Sequence, residues 1–258
     1  MTKKRSSKRG RNLTSEDHEE LDFYDNNRID VIKASDLNQL SEIKFKANSA
    51  LKTDSQKKLA QKIRENKITF IKGAAGTGKT YASLKAALEV LKDKREPNNE
   101  TTRLFLSKPI VEAGDENIGF LPGDKDQKVA PYYSSFYSNI EKLVGKDAVK
   151  FLKGKFIEEK IIAYERGSTF DNCVAIFDEA QNLTINGLKL FISRLGENSK
   201  MIIMGDTDQI DIKLKDGQKS GLDDAFTRFE GIDGVAFHEF TEDDIVRSKI
   251  LRTIMKRY

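Results

Sequence analysis

The most constraining feature of this sequence is the stretch Gly-Ala-Ala-Gly-Thr-Gly-Lys-Thr at residues 73–80, which matches the pattern G-x-x-x-x-G-K-[ST]. An apolar run typical of a β-strand precedes it at residues 68–71, and a helical pattern follows it at residues 81–92. Glycines let backbone N–H groups surround a phosphate because no Cβ atom intrudes, and the positive end of the following helix points to the same place. This phosphate loop predicts a strand–loop–helix unit that binds a nucleoside triphosphate.

The residues of the phosphate loop have distinct predicted roles. Lys79 is expected to reach the β- and γ-phosphates, and the Thr80 hydroxyl is expected to bind Mg²⁺. The backbone predicted to surround the phosphates belongs to Gly73, Ala74, Ala75, Gly76, Thr77 and Gly78. Two histidines and one cysteine cannot form a His/Cys metal site of ordinary spacing, so the metal predicted here is a phosphate-bound Mg²⁺.

Three further apolar runs have the composition of buried strands. They occupy residues 104–106, 174–177 and 201–204, and polar residues close each of them. Runs of this kind form central parallel strands that are buried on both faces. One helical pattern, at residues 55–66, precedes the strand before the phosphate loop, and another, at residues 187–195, lies between the last two runs. The predicted fold class is therefore α/β, with a doubly wound and mostly parallel sheet.

The N-terminal part of the chain is strongly charged. Residues 1–12 contain six basic side chains and no acid, whereas residues 13–30 contain seven acids and one arginine. The basic part could contact nucleic acid, but blocks of this kind cannot bury apolar area, which favours a solvated, disordered leader. The predicted division is a tail at 1–30, a short lead-in at 31–51 and one domain at 52–258.

The composition argues against membrane-spanning and secreted classes. No apolar run approaches the roughly 18 residues that cross a bilayer. No signal peptide opens the chain, and the single cysteine, Cys173, rules out an internal disulfide. The net charge of +4 is too small to indicate nucleic-acid binding, although a pI near 8.9 leaves such binding open. We therefore expect a cytoplasmic protein.

Two adjacent carboxylates, Asp178 and Glu179, follow the apolar run at residues 174–177. Sheets of this class place ligands at the C-terminal ends of their strands. Asp178 is expected to hold Mg²⁺, directly or through water, and Glu179 to orient and deprotonate an attacking water. The alternative is a solvated acidic pair, and the preceding phosphate loop favours the catalytic interpretation.

Two glutamines are candidate nucleotide sensors. Gln209 follows the run at residues 201–204, and its amide could accept a hydrogen bond from the water and donate one to the γ-phosphate. The same segment is also an ordinary turn rich in Gly and Asp. Gln56 lies three residues after Thr53, at the start of a predicted helix. Its amide could pair with an adenine edge or complete a capping box with Thr53, and the residues alone favour the cap.

A long insertion at residues 108–166 separates the second and third predicted strands. It contains an aromatic cluster that could stack nucleic-acid bases. Its apolar side chains recur at helical spacing, however, which favours a stripe that packs in the core. The residues concerned are Tyr132, Tyr133, Phe136, Tyr137, Ile140 and Val144.

Several motifs, taken in order, resemble the PhoH-like protein family. Besides the phosphate loop they are Lys52-Thr53-x-x-Gln56, Lys108-Pro109-x-Val111-Glu112-Ala113-Gly114, Gly119-Phe120-Leu121-Pro122-Gly123, Tyr164-x-Arg166-Gly167-x-Thr169, Asp178-Glu179-Ala180-Gln181-Asn182, Gly205-Asp206-x-x-Gln209-Ile210-Asp211 and Lys219-Ser220-Gly221-Leu222. The resemblance runs from about residue 52 to the C-terminus. It implies a single RecA-type ATPase core related to superfamily 1 helicases, in which Gln56 reads adenine and Gln209 senses the γ-phosphate.

The resemblance also implies partners. It suggests a short form found in phages and bacteria, in the host cytoplasm if a phage encodes it, that acts with RNA or single-stranded DNA as a homo-oligomeric ring such as a hexamer. A single core lacks the second lobe that supplies an arginine finger, so a neighbouring subunit is expected to provide one. Arg247 is the first candidate and Arg166 the second. The main alternative is a nucleotide-dependent switch or scaffold that hydrolyses ATP slowly.

The sequence departs from the family pattern at a few positions. Ala74 replaces a usual proline, Lys108 a usual arginine, and Glu165 a usual methionine. Ser168 replaces a usual arginine, a side chain that could contact phosphate or nucleic acid, and this leaves Arg166 alone in its motif.

Overall fold

Six parallel strands form one sheet in the computed structural model, which describes residues 32–93, 100–109, 125–162, 165, 167–212 and 218–246. The strands are β1 (Ile68–Lys72), β2 (Arg103–Ser107), β3 (Ile157–Glu159), β4 (Cys173–Phe177), β5 (Lys200–Gly205) and β6 (Val235–Glu239). Their order across the sheet is β3-β2-β4-β5-β1-β6, and every pair is parallel. The predicted tail at residues 1–30 lies outside the described residues.

The four strands expected from apolar runs are β1, β2, β4 and β5, which occupy the centre of the sheet. The two edge strands, β3 and β6, were not predicted. β3 has only three residues, two of them acidic, and the short apolar part of β6, Val-Ala-Phe, ends in His238 and Glu239. Edge strands are less buried than central ones and therefore lack the composition that identifies a buried strand. β3 also shows that the predicted insertion contains part of the sheet.

The described ranges contain seven α-helices, of which the first two precede β1 and the other five lie between strands. They are α1 (Ala34–Glu42), α2 (Asp54–Glu65), α3 (Lys79–Lys92), α4 (Lys125–Val144), α5 (Lys146–Lys155), α6 (Ile185–Ile192) and α7 (Gly221–Arg228). Short 3₁₀ helices occupy Ala180–Asn182 and Glu242–Asp244. None of the described helices is long and apolar enough to cross a membrane.

Apolar side chains pack on both faces of the sheet. One face packs against α2, α3, α4 and α5, and the other against α6 and α7. Neighbouring residues of β1 illustrate the alternation, because Ile71 belongs to the first cluster and Phe70 to the second. Helices therefore cover both faces, and the predicted α/β fold class is confirmed.

The aromatic stripe of the insertion lies on α4 and packs in the core. Tyr133, Phe136 and Ile140 are buried in the cluster that α4 shares with α3. Burial of a side chain of this size stabilises the fold by roughly 1.5–3 kcal/mol. The core interpretation of this stripe is therefore the correct one, and these three side chains are not available to stack bases.

Candidate active site

The candidate site lies at the C-terminal ends of three neighbouring strands. The order β4-β5-β1 brings together the phosphate loop after β1, the acidic pair after β4 and residues 206–209 after β5. These segments line a cleft of about 730 Å³. Parallel strands present their C-terminal ends at one edge of the sheet, and this topology makes the three loops converge.

The phosphate loop has a backbone that depends on glycine. Gly76 and Gly78 have φ angles of +90° and +87°, a region that side chains strongly disfavour. A Cβ atom on Gly73 would lie 2.6 Å from the Cβ atom of Phe240, closer than the two atoms can approach. The Thr77 hydroxyl donates to the Ala74 carbonyl at 3.0 Å and closes the loop on itself. Such a loop suits a phosphate because Cβ atoms do not block its N–H groups.

Lys79 is the first residue of α3. Its ammonium group donates to the carbonyl oxygen of Ala74 at 3.1 Å and to that of Gly73. The first turn of α3 contains no acidic residue, so the positive end of the helix dipole faces the loop without an opposing charge from that turn. The loop and helix together offer backbone donors, a dipole and a cation to an anion, which fits a nucleotide phosphate chain.

Thr80 and Asp178 come together although 98 residues separate them in the chain. The Thr80 hydroxyl donates to Asp178 Oδ2 at 3.1 Å. Burial raises the pKa of Asp178, while the ammonium of Lys108, 3.6 Å from Oδ2, acts in the opposite direction. Two oxygen ligands this close, one of them a buried carboxylate, suit a hard cation such as Mg²⁺.

Glu179 has an unusual backbone conformation. Its φ and ψ angles are 58° and 36°, the left-handed region that non-glycine residues seldom adopt. The side chain is 44% exposed, and its carboxylate accepts a hydrogen bond from Gln181 Nε2 at 2.9 Å. Lys108 Nζ lies 3.9 Å from its other oxygen. Strain at one residue of a cleft is a recurrent feature of functional sites.

Gln56 and Gln209 both line the cleft. Gln56 is 3% exposed; its Oε1 accepts from the Lys52 N–H at 2.8 Å, and its Nε2 donates to the Thr77 carbonyl at 2.9 Å. Half of the predicted capping box is present, since Thr53 Oγ1 accepts from the Gln56 N–H at 3.1 Å. The Gln56 side chain does not bond the Thr53 N–H as a capping box requires; it bonds the Thr77 carbonyl of the phosphate loop instead. Gln209 is exposed, and its carbonyl accepts from Gln181 Nε2.

Arg166 and Arg247 lie outside the described residues. Thr241 and Asp244 form a capping box that opens a single 3₁₀ turn, which ends at Asp244. Two residues later, the Val246 N–H donates to the Gly76 carbonyl at 2.9 Å. The segment after β6 therefore contacts the phosphate loop.

Sequence reasoning did not identify several residues of the site. Lys108 and Gln181 belong to recognised motifs, but nothing local in the sequence indicates that they contact Asp178 and Glu179. Polar side chains from the lead-in, from the approach to α2 and from α4 line the rim of the cleft, and all of them except the half-buried Asn139 are exposed. No periodic signal in the sequence marks them. They are Lys46, Asn48, Lys52, Asn139 and Lys142.

Known proteins of similar sequence share most of this chain. A PhoH-like protein of Bacillus subtilis is 41% identical over 209 residues, which cover 81% of this chain and 63% of that protein. Protein PhoH of Escherichia coli is 37% identical over 211 residues, which cover 80% of this chain and 57% of that protein. The chain thus matches about three fifths of the length of these relatives.

Two solved structures match this chain at low sequence identity. One is a large terminase from a thermophilic bacteriophage, solved in complex with ADP. The match has a TM-score of 0.44 at 14% identity and covers 80% of this chain and 49% of the terminase chain. The match to the Pif1 helicase from Candida albicans has a TM-score of 0.37 at 13% identity and covers 76% of this chain and 41% of the helicase chain.

The profile of the PhoH-like protein family matches residues 49–258. Given this match and the close relatives in sequence, the chain belongs to the PhoH-like protein family.

Proposed function

We propose that this protein is a magnesium-dependent ATPase with one RecA-type core, which works with RNA or single-stranded DNA in the cytoplasm. The observation that carries the proposal is the hydrogen bond of 3.1 Å between Thr80 and Asp178. It joins the start of α3 to the end of β4, and so supports Thr80 and Asp178 as the magnesium ligands beside the phosphate loop. Glu179, the next residue, then faces the same cleft as a base for water.

Each residue of the cleft has a task in the proposed reaction. The N–H groups of residues 73–78 bind the phosphates, and the Lys79 ammonium exchanges its two loop carbonyls for phosphate oxygens. Mg²⁺, when bound, neutralises charge that develops on the transferred phosphoryl group. The Glu179 carboxylate accepts the proton of the attacking water, and the Gln209 amide orients that water against the γ-phosphate.

Gln56 is the residue we propose for adenine recognition. A carboxamide has two N–H donors and two acceptor lone pairs. Among the described residues, the bonds to Lys52 and Thr77 use one donor and one lone pair of this amide, which leaves one of each for an adenine edge. Adenine could therefore bind while Gln56 keeps its contact with the phosphate loop, which would couple base recognition to the loop that binds the phosphates.

Nucleic-acid coupling and oligomerisation rest on membership of the family. The exposed lysines at the rim of the cleft support an anionic partner, because they come from separate segments and converge on one mouth. They are Lys46, Lys52 and Lys142. We further propose a homo-oligomeric ring in which Arg247 or Arg166 of one subunit completes the site of its neighbour.

One observation favours a second candidate function, a nucleotide-dependent switch that hydrolyses ATP slowly. The Lys108 ammonium lies 3.9 Å from the Glu179 carboxylate and competes with water for it. A base held in this way would give slow turnover until a partner moves Lys108. Such a protein would use hydrolysis to change partners and would need no nucleic-acid substrate.

An ATPase assay with two variants tests the proposal. Lys79→Ala should lose ATP binding, whereas Glu179→Gln should bind ATP and fail to turn it over, because binding and water activation depend on different residues. Turnover by Glu179→Gln near the wild-type rate would show that Glu179 is not the base. Single-stranded RNA added to the wild-type protein separates the two functions. Strong stimulation supports the nucleic-acid-coupled ATPase, and indifference supports the switch.

A further inference from the structure

Gln181 is a buried side chain that joins two loops of the cleft. It is 1% exposed and belongs to the 3₁₀ turn after β4. Its Nε2 donates to Glu179 Oε2 at 2.9 Å and to the Gln209 carbonyl at 3.0 Å. Its Oε1 accepts from the Asp206 N–H at 3.0 Å. One carboxamide thus connects the acidic pair after β4 with the loop after β5.

The orientation of this carboxamide follows from its partners. The Asp206 N–H can only donate and the Gln209 carbonyl can only accept, so the amide oxygen must face the first and the amide nitrogen the second. A Cβ atom on Gly205 would lie 2.4 Å from Gln181 Oε1, which shows how closely the backbone of β5 approaches the amide. The second N–H of the amide is then directed to Glu179.

This geometry matters because, among the described side chains, only Gln181 gives the Glu179 carboxylate a directional hydrogen bond. Its side chain is 44% exposed, and Gln181 is its side-chain hydrogen-bond donor among the described residues. The Lys108 ammonium is 3.9 Å away, beyond hydrogen-bond distance. An exposed carboxylate without a donor samples several rotamers, and a base must keep one of them to face its water.

We propose that Gln181 is a positioning residue for ATP hydrolysis. It holds the Glu179 carboxylate toward the cleft and links that orientation to the position of the loop that carries Gln209. A movement of this loop on binding the γ-phosphate would therefore be transmitted to the base through one amide. The inference rests on the proposed ATPase function and adds a residue that acts through Glu179 without touching the reacting atoms.

The adjacent Asn182 provides a matched control. Its Nδ2 donates to Asp211 Oδ2 at 2.9 Å, and its Oδ1 accepts from the Asp211 N–H at 2.7 Å. It therefore ties the same turn to the same loop with two hydrogen bonds. Within the described part of the chain, its side chain makes no hydrogen bond with Glu179. Asn182→Leu should thus remove the two hydrogen bonds to Asp211 in the loop after β5 and keep the hydrogen bond between Gln181 and Glu179.

The experiment compares Gln181→Met with Asn182→Leu by steady-state ATPase kinetics and equilibrium ATP binding. Methionine keeps the volume of Gln181 and removes all three hydrogen bonds. We expect kcat to fall about 10²-fold, the effect of a misplacement of about 1 Å, with ATP affinity unchanged. Asn182→Leu should keep most of its kcat. A wild-type kcat in Gln181→Met, or an equal loss in Asn182→Leu, would overturn the proposal.

A second comparison tests whether Gln181 acts through Glu179. In a Glu179→Gln background, Gln181→Met should cause no further loss of the residual rate, whereas additive losses would show an independent effect. If Gln181→Met does not fold, Gln181→Glu serves instead. It keeps an acceptor for the Asp206 N–H, opposes Glu179 with a carboxylate and should show the same loss of kcat. Absence of ATP hydrolysis by the wild-type protein would refute the proposed function itself. That result differs from an active wild-type protein whose kcat does not change when Gln181 is substituted.

Discussion

Replacement of Gln56 by alanine should destabilise the protein more than removal of the helix cap beside it. The Gln56 side chain bridges the Lys52 N–H and the Thr77 carbonyl, and it is almost fully buried. The cap itself is a bond from the Gln56 N–H to Thr53 Oγ1, and it survives in Gln56→Ala. Thr53→Ala removes only that cap and is therefore the matched control.

The two variants differ in expected magnitude. Two hydrogen bonds contribute about 1 kcal/mol each, and the lost burial of the side-chain methylene groups adds roughly 1 kcal/mol. Gln56→Ala should therefore cost about 3 kcal/mol, whereas loss of the Thr53 cap should cost about 1 kcal/mol. For a domain of this size, 1 kcal/mol corresponds to a Tm change of about 2–4 °C. The expected decreases are about 6–12 °C for Gln56→Ala and about 2–4 °C for Thr53→Ala.

Thermal melting without nucleotide and steady-state kinetics with ATP and GTP provide the assay. The lost bridge to the phosphate loop should raise KM for both nucleotides, and lost pairing with adenine should raise KM for ATP further. Equal Tm values for Gln56→Ala and Thr53→Ala would refute the bridging argument. An equal rise of KM for ATP and GTP would refute adenine recognition, even if the melting result agrees.

Three further predictions concern other parts of the chain. Burial lowers the pKa of His238 from 6.5 to about 4, so the unfolded state binds a proton first as the pH falls. The free energy of unfolding should therefore decrease by roughly 2 kcal/mol by about pH 5, and His238→Phe should flatten this dependence in urea titrations. Deletion of residues 1–12 should reduce the salt dependence of nucleic-acid binding if the tail contacts phosphates, and an unchanged slope would leave it a solvated leader. Mixing Arg247→Ala with Lys79→Ala subunits, each inactive alone, should restore part of the ATPase activity; a monomer by light scattering with no rescue would contradict a finger from a neighbour.

Local patterns in the sequence were sufficient for the centre of this fold. Strands β1, β2, β4 and β5 were predicted because central parallel strands are buried on both faces and need continuous apolar runs. The polar residues that close each run then mark the strand ends, where parallel topology assembles a site. For this reason the sequence alone predicts that the phosphate loop, Asp178 and Gln209 lie in one site. Their roles in hydrolysis stay predictions.

Tertiary structure alone decided which side chains contact one another. The Gln56 bridge joins residues 21 positions apart, and the bond of Gln181 to the Gln209 carbonyl spans 28 positions. A glutamine has the same local sequence pattern whether its amide caps a helix, binds a base or ties two loops together. The choice depends on which donors and acceptors the packed sheet brings within about 3 Å. Those distances are set by the register of neighbouring strands, and no local pattern in the chain encodes them.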